Sequence, residues 1–122
     1  MPTYRGSCHC ERVTFEVDAE ITSVADCNCS YCGRNGILYY EVPPEKFHML
    51  SGEDDLTMYR FKAAKHYFCR HCGCHPFNRP RTAPEEYGVN VRLLAGLDLA
   101  KIKILPFDGR NWEEANRTFR YE

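Results

Sequence analysis

The chain has 122 residues, and sixteen basic side chains against seventeen acidic ones leave a net charge of −1. That balance excludes a general electrostatic pull toward nucleic acid or an anionic membrane. No apolar run approaches the length of a membrane-crossing helix, so a soluble protein with neither a membrane nor a nucleic-acid partner is expected.

The length suits a single domain over residues 1–122, able to bury about two thirds of its unfolded surface. Along it, apolar residues recur mostly with period two. Val13, Phe15 and Val17 alternate with Thr14 and Glu16, the pattern of a half-buried strand. Ile37 to Val42 is a short apolar run that stops at Pro43 and Pro44. After the turn residues Ser51 to Asp54, Leu56 to Phe61 reads as another strand, and Lys65 to Cys69 as the next. Tyr87, Val89, Val91 and Leu93 alternate with Gly88, Asn90 and Arg92, the clearest strand signal in the sequence. Ile102 and Ile104 flank Lys103 in a last short strand before Pro106. Pro44 to Phe47 and Asp98 to Ala100 offer single helical turns at most. Short strands joined by turns predict an all-β domain of small sheets, without repeats or linkers.

The eight cysteines fall in three tight clusters: Cys8 and Cys10; Cys27, Cys29 and Cys32; Cys69, Cys72 and Cys74. One turn of backbone aims two such thiolates at a common point, which suits tetrahedral zinc. An even count in a short chain also fits a disulfide framework. Against disulfides, Met1 to Ser7 has no apolar segment of the secretory kind. Cysteines one residue apart are also poorly placed to bridge each other. Reduced thiols as metal ligands point to the cytoplasm.

A four-thiolate site needs two knuckles, and the natural pair is Cys8 with Cys10 and Cys69 with Cys72. That leaves Cys27, Cys29 and Cys32, a set like that of a catalytic zinc with one position open for water or substrate. Spacing alone does not decide between this partition and one that uses Cys74 as a ligand. A structural thiolate-bound zinc contributes on the order of 10 kcal/mol to folding. That matches the stability of a whole domain.

The ordered runs Gly6 to Cys10, Cys27 to Cys32 and Phe68 to Gly73 resemble the glutathione-dependent formaldehyde-activating enzyme family, which includes the centromere protein V group. Leu94 to Asp98 and Pro106 to Arg110 look like its closing motifs, so the resemblance covers most of the chain. It implies a β-tent fold whose small sheets are held by two zinc ions. By motif position Cys8, Cys10, Cys69 and Cys72 match the structural zinc ligands. Cys27, Cys29 and Cys32 match the second zinc, the one tied to catalysis. Cys74 matches no family ligand and is expected as a free thiol. The implied activity is that of a carbon–sulfur lyase on a small thiol adduct of the S-hydroxymethylglutathione type, with glutathione or a similar thiol as partner. The chain is shorter than the founding enzyme and lacks its extra N-terminal and middle segments, so the thiol itself stays open.

The chemistry follows from the ligands. Three thiolates on Zn²⁺ make a weak Lewis acid, one that acidifies water less than a three-histidine site does. Soft ligands favour a thiol as fourth partner, and a thiol held there is deprotonated near neutral pH and becomes the nucleophile. Two other readings stand beside this one. The triplet closes with His66, His71, His75 or Cys74 as a fourth ligand, or the domain is a non-catalytic two-zinc module for a protein or nucleic-acid partner. For that module, Arg60, Lys62, Lys65, Arg79 and Arg81 with Tyr59, Phe61 and Phe77 would form the face. A labile metal store or thiol sensor is a weaker third.

Among other polar residues, Arg34 beside the triplet is the candidate for holding a substrate carboxylate. His9 is expected to point away from the metal, and His71 to hydrogen-bond within its knuckle. One of His66 and Tyr67 should face the interior, while His75 lines a pocket or packs a loop. Asp108 and Arg110 are expected to brace the C-terminal loop, and Trp112 to anchor the core over the last strand.

Overall fold

In the computed structural model, which describes residues 1–122, the alternation around Phe15 becomes strand β2 (Thr14–Asp18), with Phe15 and Val17 fully buried. β2 pairs antiparallel with β1 (Thr3–Ser7) and with β5 (Phe47–Ser51) in a three-stranded sheet. Gly6 of β1 faces Phe15, and a Cβ there would stand 2.2 Å from the ring.

The second sheet holds β3 (Ser23–Cys27), β4 (Leu38–Val42), β6 (Leu56–Phe61), β7 (Ala64–Cys69), β8 (Phe77–Arg79), β9 (Tyr87–Asn90) and β10 (Lys103–Phe107). Their order is β10-β3-β4-β9-β8-β7-β6, antiparallel throughout except for the parallel pair of β10 and β3. Two short helices complete the chain, α1 (Ser30–Asn35) and α2 (Trp112–Thr118). Strands in sheets dominate, as the periodicity predicts, and no helix is long and apolar enough to cross a membrane.

The single turns expected near Pro44 and Asp98 are the 3₁₀ turns Pro44–Lys46 and Leu99–Lys101. Other elements depart from the sequence reading: β1, β3, β5 and β8 carry too little alternation to be read beforehand, and neither α1 nor α2 was expected. The strand expected to reach Leu93 stops at Asn90, whose side chain accepts from the Arg92 amide at 3.2 Å and turns Val91–Leu93 into a 3₁₀ turn. β10, conversely, runs through Pro106, which is tolerated because β10 is the sheet's edge.

The main core joins the two sheets. Phe15 stacks on Phe47 at 5.2 Å, and Phe47 meets Tyr87 at 4.1 Å and Phe77 at 5.1 Å. Period two then splits β3 and β4 between two faces. Val24 and Leu38 join the main core, while Ala25 and Tyr39 join a second cluster with Cys29, Cys32 and Ile37. That far face carries the candidate site.

Candidate metal centres and cavity

Cys8 and Cys10 follow β1, and Cys69 ends β7 with Cys72 in the turn beyond, so one cysteine pair comes from each sheet. In the first knuckle the Val13 amide donates to Cys8 Sγ at 3.4 Å, and Glu11 takes the left-handed turn conformation. In the second, the Gly73 amide donates to the Cys69 carbonyl at 2.8 Å, with Gly73 at φ 80°. The four Sγ atoms lie within 4.8 Å of one another. Cys10 is 3.6 Å from both Cys8 and Cys69. A tetrahedral ion with metal–sulfur bonds of about 2.3 Å spaces its sulfurs about 3.8 Å apart. The donor set fits a metal.

The second group is built by β3 running into α1. Cys27 ends the strand, Cys29 caps the helix by accepting from the Cys32 amide at 3.2 Å, and Cys32 lies in the first turn. Their three Sγ atoms also gather within 4.8 Å. Asn28 fixes the segment from behind: its side-chain amide donates to Asp108 at 3.0 Å and its Oδ1 accepts from the Arg110 amide at 3.1 Å. Asp108 and Arg110 thus brace their loop, as expected, but onto a residue between two cysteines that the sequence did not single out.

The triplet concentrates negative charge. Hydrogen bonds from Cys27 and Cys32, with help from the Cys32 amide, pull the Cys29 thiol down to about 2. Sharing a proton with Cys29 pushes Cys27 up to about 11, and Cys32 goes higher still against both neighbours. An anionic soft centre of this kind suits a cation.

None of the proposed fourth ligands joins the triplet. His66 is buried and meets the Tyr39 hydroxyl through Nδ1 at 3.4 Å. His71 meets Asp55 at 2.8 Å, and His75 meets the Tyr31 hydroxyl at 3.0 Å. Cys74 packs beside the four-cysteine group, and His9 is exposed. All eight cysteines are free, so no disulfide framework forms.

The triplet opens instead on a cavity of about 340 Å³, a size usual for small-ligand sites. Cys27, Cys29 and Cys32 line it together with Tyr39, His66, Phe61, Phe107 and residues of the C-terminal segment. Tyr39 Oη stands 3.5 Å from Cys32 Sγ on one side and 3.4 Å from His66 on the other. Burial lowers His66 to about 4 and raises Tyr39, so both are uncharged at neutral pH.

Two expectations need correction here. Arg34 is exposed, donates to the Ser30 carbonyl at 2.8 Å and does not line the cavity. Trp112 is not a core anchor but a half-exposed wall of the cavity, with Arg81 stacked on its ring at 3.9 Å. The basic face imagined for a binding module is also broken up. Arg79 folds onto the carbonyls of Pro84, Glu85 and Glu86, and Phe77 is buried.

Residues 3–105 match the family model for glutathione-dependent formaldehyde-activating enzyme. A crystal structure of a Rhodobacter sphaeroides protein is similar over 83% of this chain and 99% of that chain, with 34% identity and a TM-score of 0.74. On the extent of the family match and the identity to that structure, the chain belongs to the glutathione-dependent formaldehyde-activating enzyme family.

Proposed function

We propose that the protein is a zinc-dependent carbon–sulfur lyase that joins a small thiol to an aldehyde and splits the adduct again. In this reading Cys8, Cys10, Cys69 and Cys72 hold a structural zinc that ties the two sheets into a β-tent. Cys27, Cys29 and Cys32 hold the second zinc, in a reducing compartment such as the cytoplasm. The observation that carries it is a cluster of three cysteine sulfurs, without a fourth protein ligand, at the wall of a ligand-sized cavity. The family's description names glutathione and formaldehyde, which makes them the first pair to try.

Zinc at the triplet would supply a soft position at which a thiol loses its proton near neutral pH. The substrate sulfur attacks the aldehyde carbon, a carbon–sulfur bond forms, and the π pair of the carbonyl moves to oxygen. That oxygen takes up one proton in place of the one the thiol lost; the reverse path returns aldehyde and thiol. Tyr39 Oη, held by uncharged His66 and lining the cavity, is the hydroxyl placed to donate to the oxygen. Phe61, Phe107 and Phe119 line the same space.

The test is exchange spectroscopy on ¹³C-formaldehyde with glutathione. The protein should speed exchange between free formaldehyde and S-hydroxymethylglutathione, and Cys32→Ser should abolish the gain. Exchange no faster than in buffer would contradict the proposal.

A further inference from the structure

The family match ends at residue 105, yet the chain beyond it builds one side of the cavity. Trp112, Asn116, Phe119, Arg120 and Tyr121 all line it. The segment is fastened in place: the Glu122 amide donates to Ser23 Oγ at 2.8 Å, and the Thr22 hydroxyl donates to the Glu122 carbonyl at 2.7 Å. Phe119 also meets Phe107 edge-on at 5.3 Å.

The cavity's charge is lopsided in an otherwise balanced chain. Apart from the anionic triplet itself, Lys62, Arg81 and Arg120 line it against one carboxylate, Glu41. No ion pair in the chain uses Lys62 or Arg81. Arg81 lies over Trp112 with its guanidinium carbon 3.9 Å from the ring centroid. Stacking occupies the flat face of a guanidinium and leaves its N–H edge free for a bidentate carboxylate. Lys62 sits in the two-residue hairpin turn between β6 and β7 at φ 55°, the left-handed backbone that such a tight turn takes, and its side chain lines the cavity.

We propose that residues 112–122, with Arg81 and Lys62, are the specificity wall of the site, selecting thiols that carry a carboxylate. The apolar stem of the thiol packs on Trp112 and Phe119, and its carboxylate lies on Arg81 within reach of Lys62. The proposal rests on the thiol reading of the triplet given above, and adds the residues that choose among thiols.

Trp112 is the chain's one tryptophan, so its emission reports on this wall directly. The zinc-loaded full chain is titrated with 3-mercaptopropionate and with 2-mercaptoethanol, following Trp112 emission and the heat of binding. The carboxylate thiol is expected to bind about tenfold more tightly, the worth of one charge-assisted pair. Arg81→Gln should erase most of that preference, Arg81→Lys should keep part of it, and zinc content should stay at the wild-type value in both. Lys62→Gln, at an exposed turn, gives a second variant with a smaller loss in the same direction. Equal affinity of the two thiols for the wild type, or an unchanged preference in Arg81→Gln, would overturn the specificity wall alone. Failure of both thiols to bind the wild type would overturn the thiol reading, and the wall with it.

Discussion

A Cβ on Gly109 would stand 2.5 Å from Cys27 Sγ. The loop that carries Asp108 and Arg110 therefore lies directly on the cysteine triplet, and only glycine lets it come so close. Gly109→Ala should force Cys27 or the loop to move, at a cost of about 1–3 kcal/mol from overpacking. The variant should bind one metal fewer per chain and melt at a lower temperature. Gly33→Ala is the control. A Cβ there meets nothing closer than 3.6 Å, and alanine favours the helix, so stability should hold or rise by up to about 1 kcal/mol.

The two cysteine groups should differ in what they do for folding. Cys69 is fully buried and its group links the ends of β1 and β7, so Cys69→Ser removes a tie between sheets. Loss of a contribution on the order of 10 kcal/mol should abolish cooperative unfolding as seen by circular dichroism. Cys32→Ser acts on the far face, away from the main core of Phe15, Phe47 and Phe77. It should keep a folded spectrum and lose one metal by elemental analysis.

His66 gives a pH signature. Burial lowers its folded value from 6.5 to about 4, so as pH falls the unfolded chain takes up this proton first. The stability it contributes is present above 6.5 and is lost as pH falls from there toward about 4. Nuclear magnetic resonance should show the His66 ring titrating near the lower value. A midpoint at 6.5 or above would mean that the ring is not buried uncharged beside Tyr39.

The sequence revealed the cysteine groups because short spacings survive folding: two sulfurs within one turn stay together whatever the rest of the chain does. Strands such as β2 were legible because one of their faces is buried, so their alternation is clean. β3 hides for the opposite reason, since Val24 and Ala25 are buried on its two faces and no alternation remains. Arg34 misled because nearness in sequence is not nearness in space. It lies two residues beyond Cys32 on α1, which turns it about 200° around the helix from the cavity. The C-terminal wall was illegible because its contacts are long-range: Tyr121 donates to the Tyr39 carbonyl at 3.5 Å across most of the chain.

The most direct measurement is zinc and thiol per chain, by elemental and thiol analysis, before and after dialysis against millimolar reduced glutathione. An open triplet gives two zinc ions per chain at the start. After dialysis it either retains one thiol on the second zinc or loses that zinc to glutathione, while the four-cysteine zinc persists. Two zinc ions that both persist with no thiol bound would mean a closed second site, and would contradict the account.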